Sequence, residues 1–103
     1  MNKYNIITIC GSVKFKEEFI KAQKELTLKG NIVISVGMFD NDGWDEDTLK
    51  MFGDMHLSKI DMADEIYVIN KNGYIGKSTK SEILYAISKG KHIRYLEDGY
   101  EGL

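Results

Sequence analysis

The chain has one cysteine, Cys10, and no proline. A lone thiol cannot close an internal disulfide, and a metal site built on it needs other ligands brought near it. A cytoplasmic location fits this cysteine usage. No functional conclusion follows from the missing proline. No apolar run approaches the roughly 20 residues that a membrane helix needs, so no membrane partner is expected. The opening residues, MNKYNIITICGS, read as a strand rather than a signal peptide, because no small-residue cleavage site follows a long apolar core. An excess of one charge is also lacking. The formal net charge is −2, which gives no electrostatic footprint for a nucleic-acid polymer or an anionic membrane. There is no repeat, low-complexity segment or linker, so residues 1–103 read as a single small domain.

What is present has the balance of an ordinary globular protein, 43% hydrophobic and 29% charged, well away from disordered compositions. Residues 4–10 (YNIITIC), 31–36 (NIVISV), 65–70 and 92–96 (HIRYL) read as strands. Between them lie helices predicted at 14–29, about 48–62 and about 79–89. In the first helix Phe15, Phe19, Ala22 and Leu26 recur at i, i+4, i+7 and i+11. Gly30 and Gly90 stand where helix C-caps are expected. Strands alternating with helices of this length imply an α/β fold with a parallel sheet. In such sheets ligands bind beyond the carboxyl ends of the strands. Residues 10–15, 37–47 and 70–82 therefore converge on one rim.

The most informative stretch is 64–86, DEIYVINKNGYIGKSTKSEILYA: a strand, a glycine-rich loop, then a helix start carrying Glu82. Helical N–H groups and the macrodipole favour negative charge at such a place. Two readings stand for Glu82. It is a nucleophilic or electrostatic carboxylate facing a sugar, or it closes a capping box with Thr79. The loop 73–79 (GYIGKST) lacks the Walker A glycine, because Lys71 sits there. Gly76, Ser78 and backbone amides can still cradle an anion; the alternative is a plain loop with an N-cap. Gly11, Ser12 and Lys14 at the first β-α turn can hold a phosphate, or Ser12 is simply an N-cap. Asp61 and Asp64 are candidates for acid–base work or for accepting a ribose hydroxyl, with a solvated turn as the default for Asp64. His56 shares a stripe with Leu49, Phe52, Ile60 and Ala63, where a buried, hydrogen-bonded histidine is commoner than a catalyst. Asp40, Asp42, Asp45, Glu46 and Asp47 read as a solvated acidic loop without EF-hand spacing. Trp44, Phe39 and Tyr74 can stack a nucleobase or belong to the core or a subunit contact.

These pieces, in this order, resemble the nucleoside 2-deoxyribosyltransferase superfamily, which includes the 2′-deoxynucleoside 5′-phosphate N-hydrolases. The residues that carry the resemblance are Cys10-Gly11-Ser12-x-Lys14, Ala63-Asp64-Glu65-Ile66, and Gly76-x-Ser78-x-x-x-Glu82-x-x-x-Ala86 with Gly90-Lys91-His92-Ile93. It spans nearly the whole chain. The resemblance implies a small flavodoxin/Rossmann-like three-layer fold with a four-to-five-stranded parallel sheet. It implies chemistry at an N-glycosidic bond, with Glu82 at the position of the family's glutamate and Ser12, Lys14 and Ser78 matching its phosphate contacts. Asp61 or His56 would serve as acid or base, and Trp44 or Tyr74 would cover the base. No metal and no organic cofactor is required, and a homodimer is expected. Thr8 stands where the family often has a tyrosine, and His56 where it has an aspartate in the second helix. Two functions of different class follow: an N-glycosidase or deoxyribosyltransferase, or a non-catalytic module that binds a nucleotide or a nucleotide-derived signal.

Overall fold

The computed structural model describes residues 3–37 and 43–98. Met38, Phe39, Asp40 and Asp42, and the last residues, 99–103, lie outside the described residues. Four strands, β1 (Ile6–Gly11), β2 (Ile32–Ile34), β3 (Glu65–Ile69) and β4 (His92–Tyr95), alternate with three helices. These are α1 (Lys16–Leu28), α2 (Glu46–Met62) and α3 (Lys77–Ser88), with short 3-10 turns at Val13–Phe15 and Lys71–Gly73. The strands form one all-parallel sheet in the order β2-β1-β3-β4. This is the α/β, flavodoxin/Rossmann-like arrangement expected, with four strands. Among the described residues no helix is long and apolar enough to cross a membrane.

Side chains of a strand alternate between faces, and that alternation builds two cores. Cys10, Ile66 and Val68 point to one face, where Ile60 of α2 and Ile83 and Ala86 of α3 cover them. Ile9 and Ile69 point to the other, where Phe19 and Ala22 of α1 cover them. Each fully buried isoleucine contributes about 1.5–3 kcal/mol of transfer free energy. The helix periodicity read in α1 is thus the packing face, with Phe19, Ala22 and Leu26 all buried.

Helix ends follow local chemistry. Gly30 and Gly90 adopt left-handed φ values of 94° and 70°. In both cases the amide two residues past the cap bonds back into the last turn, Asn31 to the Leu26 carbonyl and Lys91 to the Ala86 carbonyl, which is a Schellman ending. Helix α2 starts at Glu46, two residues earlier than predicted, because the Asp45 carboxylate accepts the Thr48 N–H at 2.8 Å. Its other end is closed from the sheet. The Ala63 amide turns to Ile60, and the buried Thr8 hydroxyl donates to the Lys59 carbonyl at 2.8 Å.

Thr8 is therefore the clamp between β1 and the last turn of α2. Thr8→Val keeps the shape but leaves a part-buried carbonyl without its donor. Urea titration should show a loss of about 1–3 kcal/mol; an unchanged midpoint would mean that water replaces the hydroxyl at no cost.

Candidate functional site

The chain reverses its direction of winding between β1 and β3, and the crevice at such a reversal is where open parallel sheets hold ligands. A cleft of about 550 Å3 opens there. Gly11 at the end of β1, Val36 and Gly37 after β2, and Ser78 and Glu82 of α3 line it. One wall is the inner face of α2, including Leu49, Phe52, His56 and Lys59.

At its floor three side chains from three elements meet. His56 of α2 is buried, with its Nε2 3.3 Å from Cys10 Sγ. The same Nε2 lies 3.4 Å from Glu82 Oε1. The Glu82 side chain keeps 20% of its surface exposed, against 8% for His56, so the carboxylate is the member of the trio that faces the cleft. His56 Nδ1 is buried and has no hydrogen-bond partner among the described residues. A thiol–imidazole–carboxylate relay needs the thiol and the carboxylate on opposite ring nitrogens. Here both touch Nε2, so Cys10 is no relay nucleophile. Burial, and then the charge and hydrogen bond of Glu82, push the Cys10 thiol well above its ordinary value, which keeps it protonated and unreactive.

Glu82 stands deeper in α3 than its sequence suggests. Gly76 is the N-cap and Lys77 the first helical residue, so Glu82 falls in the second turn, beyond the strongest reach of the helix dipole. The Thr79–Glu82 capping box does not form: Thr79 lies inside the first turn and is buried. The N-cap, Gly76, has no side chain with which to cap α3. Ser78 of this first turn lines the cleft, where helical N–H groups favour negative charge.

The structure brings Gly11, His56, Ser78 and Glu82 together and distributes the other candidates elsewhere. Ser12 caps the 3-10 turn, accepting the Lys14 N–H at 3.3 Å. Lys14 Nζ sits 3.4 Å from the centroid of the Tyr74 ring, and Tyr74 stands edge-on to Phe15 with centroids 5.8 Å apart. A Cβ on Gly76 would meet the Tyr74 hydroxyl at 3.3 Å. Tyr74 thus carries Lys14 over its ring, stays 45% exposed and does not line the cleft. Trp44 packs edge-on against Phe52, centroids 5.7 Å apart, so Phe52 and not Trp44 forms the cleft wall.

Asp61 and Asp64 require correction. Both precede β3, and in a parallel sheet that is the amino edge, opposite the cleft. Asp64 Oδ2 accepts the Ile6 N–H at 2.9 Å, and the Asp64 amide returns a bond to the Ile6 carbonyl. Asp61 accepts the Tyr85 hydroxyl at 2.8 Å, a bond that raises the Tyr85 phenol above its ordinary value. Sequence reasoning missed Phe52 and Lys59 as wall residues. Their spacing from His56, one turn before and three residues after, was the available signal.

Gly11 ends β1 at φ 150°, and a Cβ there would lie 2.9 Å from Ile69 Cβ. Gly11→Ala should cost about 1–3 kcal/mol in urea titration, and an unperturbed variant would show that β1 and β3 can part without penalty. The raised Cys10 thiol sets an alkaline limit. A folded-state value above the unfolded one gives stability that is whole below the unfolded value and lost as pH climbs through the folded one. Stability should decline from about pH 9 upward, and Cys10→Ala should decline less steeply; parallel curves would remove Cys10 as a cause.

No protein-family model matches the chain, and no curated protein is significantly similar to it.

Proposed function

We propose that the cleft binds a deoxynucleoside or its 5′-monophosphate and that Glu82 attacks the anomeric carbon, cleaving or transferring the N-glycosidic bond. One observation carries this reading: a half-buried carboxylate, held by His56 Nε2, facing a cleft at the carboxyl edge of a parallel sheet. The volume, about 550 Å3, falls within the range of small-molecule sites. Leu49, Phe52 and Met55 give an apolar wall for a base. Ser78, in the first turn of α3, suits a phosphate.

In this mechanism the bond from sugar to base breaks with its electron pair leaving on the base, while Glu82 forms an ester with the sugar. Water, or a second base, then attacks that ester. The departing base takes its proton from solvent or from a cleft donor. His56 positions Glu82 rather than protonating the base, because its Nδ1 is sealed from solvent and its Nε2 is engaged by Glu82 and Cys10. Lys59 Nζ reaches the wall while donating to the Ser35 carbonyl at 3.0 Å, with further N–H donors to offer.

A second reading, a binding module without turnover, draws on a different observation. Glu82 is the one acid among the described residues that line the cleft, whereas a retaining pair needs two carboxyl groups about 5–5.5 Å apart. Incubation with a panel of deoxynucleosides and deoxynucleotides, followed by chromatography of the free base, separates the two. Base release by the native chain, reduced ~10³-fold or more in Glu82→Ala, is the expected outcome. Saturable binding without release supports the module, and undiminished release by Glu82→Ala removes Glu82 from the chemistry.

A further inference from the structure

We propose that Cys10 Sγ, His56 Nε2 and a Glu82 carboxylate oxygen form a binding site for one thiophilic divalent cation, of which zinc is the type. The donor atoms all lie within 4.8 Å of one another, and the two measured contacts are 3.3 and 3.4 Å. The imidazole–carboxylate contact is long for a hydrogen bond between nitrogen and oxygen, whose mode is about 2.9–3.0 Å, while the thiol contact has an ordinary length for sulfur. Both separations also match tetrahedral coordination. Metal–ligand bonds of about 2.0–2.3 Å set donor atoms about 3.3–3.6 Å apart. Rotation of the Glu82 side chain closes the third edge, and the remaining coordination position opens toward the cleft.

The donor set selects the ion. Thiolate and imidazole suit zinc and its neighbours, whereas magnesium and calcium prefer all-oxygen shells. Binding exchanges the thiol proton for the metal: the S–H bond breaks, the proton passes to solvent, and the sulfur lone pair forms the metal–sulfur bond. No oxidation occurs. Among the described residues His56 Nδ1 has no partner to brace the ring, and bracing of that kind is worth about 10–100-fold in metal affinity. The site is accordingly an exchangeable one, open to chelators. A cation there occupies the carboxylate that the proposed glycosidic chemistry uses, so that consequence rests on the proposed role of Glu82; the binding itself does not.

Cobalt(II) titration of the reduced native protein tests the site directly. Cys10 is the only thiol of the chain, so a thiolate-to-cobalt charge-transfer band saturating at one ion per chain identifies it as a ligand. Zinc and EDTA should abolish the band, and millimolar magnesium should leave it. His56→Ala and Glu82→Gln, checked for folding by circular dichroism, should each weaken binding more than about 100-fold, beyond the cost of a lost outer-shell partner. No band in the native protein, or a band of unchanged affinity in either variant, overturns the proposal. The result is independent of turnover: loss of the band removes the metal and leaves the base-release experiment standing, and the reverse also holds.

Discussion

The cleft depends on one nitrogen. His56 Nε2 touches groups from β1 and α3 while the ring itself belongs to α2, so three elements that are remote in sequence are tied at a single buried point. Polar groups inside a protein are costly unless they find partners. The requirement that this nitrogen be satisfied therefore fixes how α2 and α3 sit on the sheet at its carboxyl edge. A slip of either helix by one residue would withdraw one of the two contacts and bury a polar atom without recompense.

The opposite edge does the complementary work. There Asp64 clasps the start of β1, Asp61 takes the Tyr85 hydroxyl, and Lys91 donates to the Asp61 carbonyl. The buried Glu65 gathers Asn5 and Arg94, and this contact holds the Arg94 guanidinium above its ordinary value. Ion pairs and side-chain bonds at the amino edge close on one another and line no part of the cleft. Parallel strands make this division possible, since every strand presents the same end to the same side.

Much of this was legible beforehand. Alternating strands and helices, the Gly30 and Gly90 endings and the inward face of α1 came directly from period and cap chemistry. Burial of His56 followed from its stripe. What it would touch did not, because Cys10 lies 46 residues away and only the parity of β1 decides which face its thiol takes. Glu82 was placed one turn too near the helix start, since Thr79-x-x-Glu82 imitates a capping box while Gly76 supplies the actual cap. Asp61 and Asp64 are acid–base or ribose candidates by kind of residue, outside the three stretches expected on the rim, and the polarity of β3 sets both at the amino edge.

The orphaned His56 Nδ1 gives the remaining step. Leaving a buried polar atom without a partner costs roughly 1–3 kcal/mol. An apolar side chain at position 56 would continue the stripe of Leu49, Phe52 and Ile60 and avoid that cost. The imidazole stands there regardless, and its stabilising contacts all run through Nε2, to a thiol kept protonated and a carboxylate turned toward the cleft. Unsatisfied buried groups are rare and concentrate where a structure serves something besides its own stability. The expense at Nδ1 is thus best understood through Glu82, which the ring holds at the cleft floor together with the Cys10 thiol.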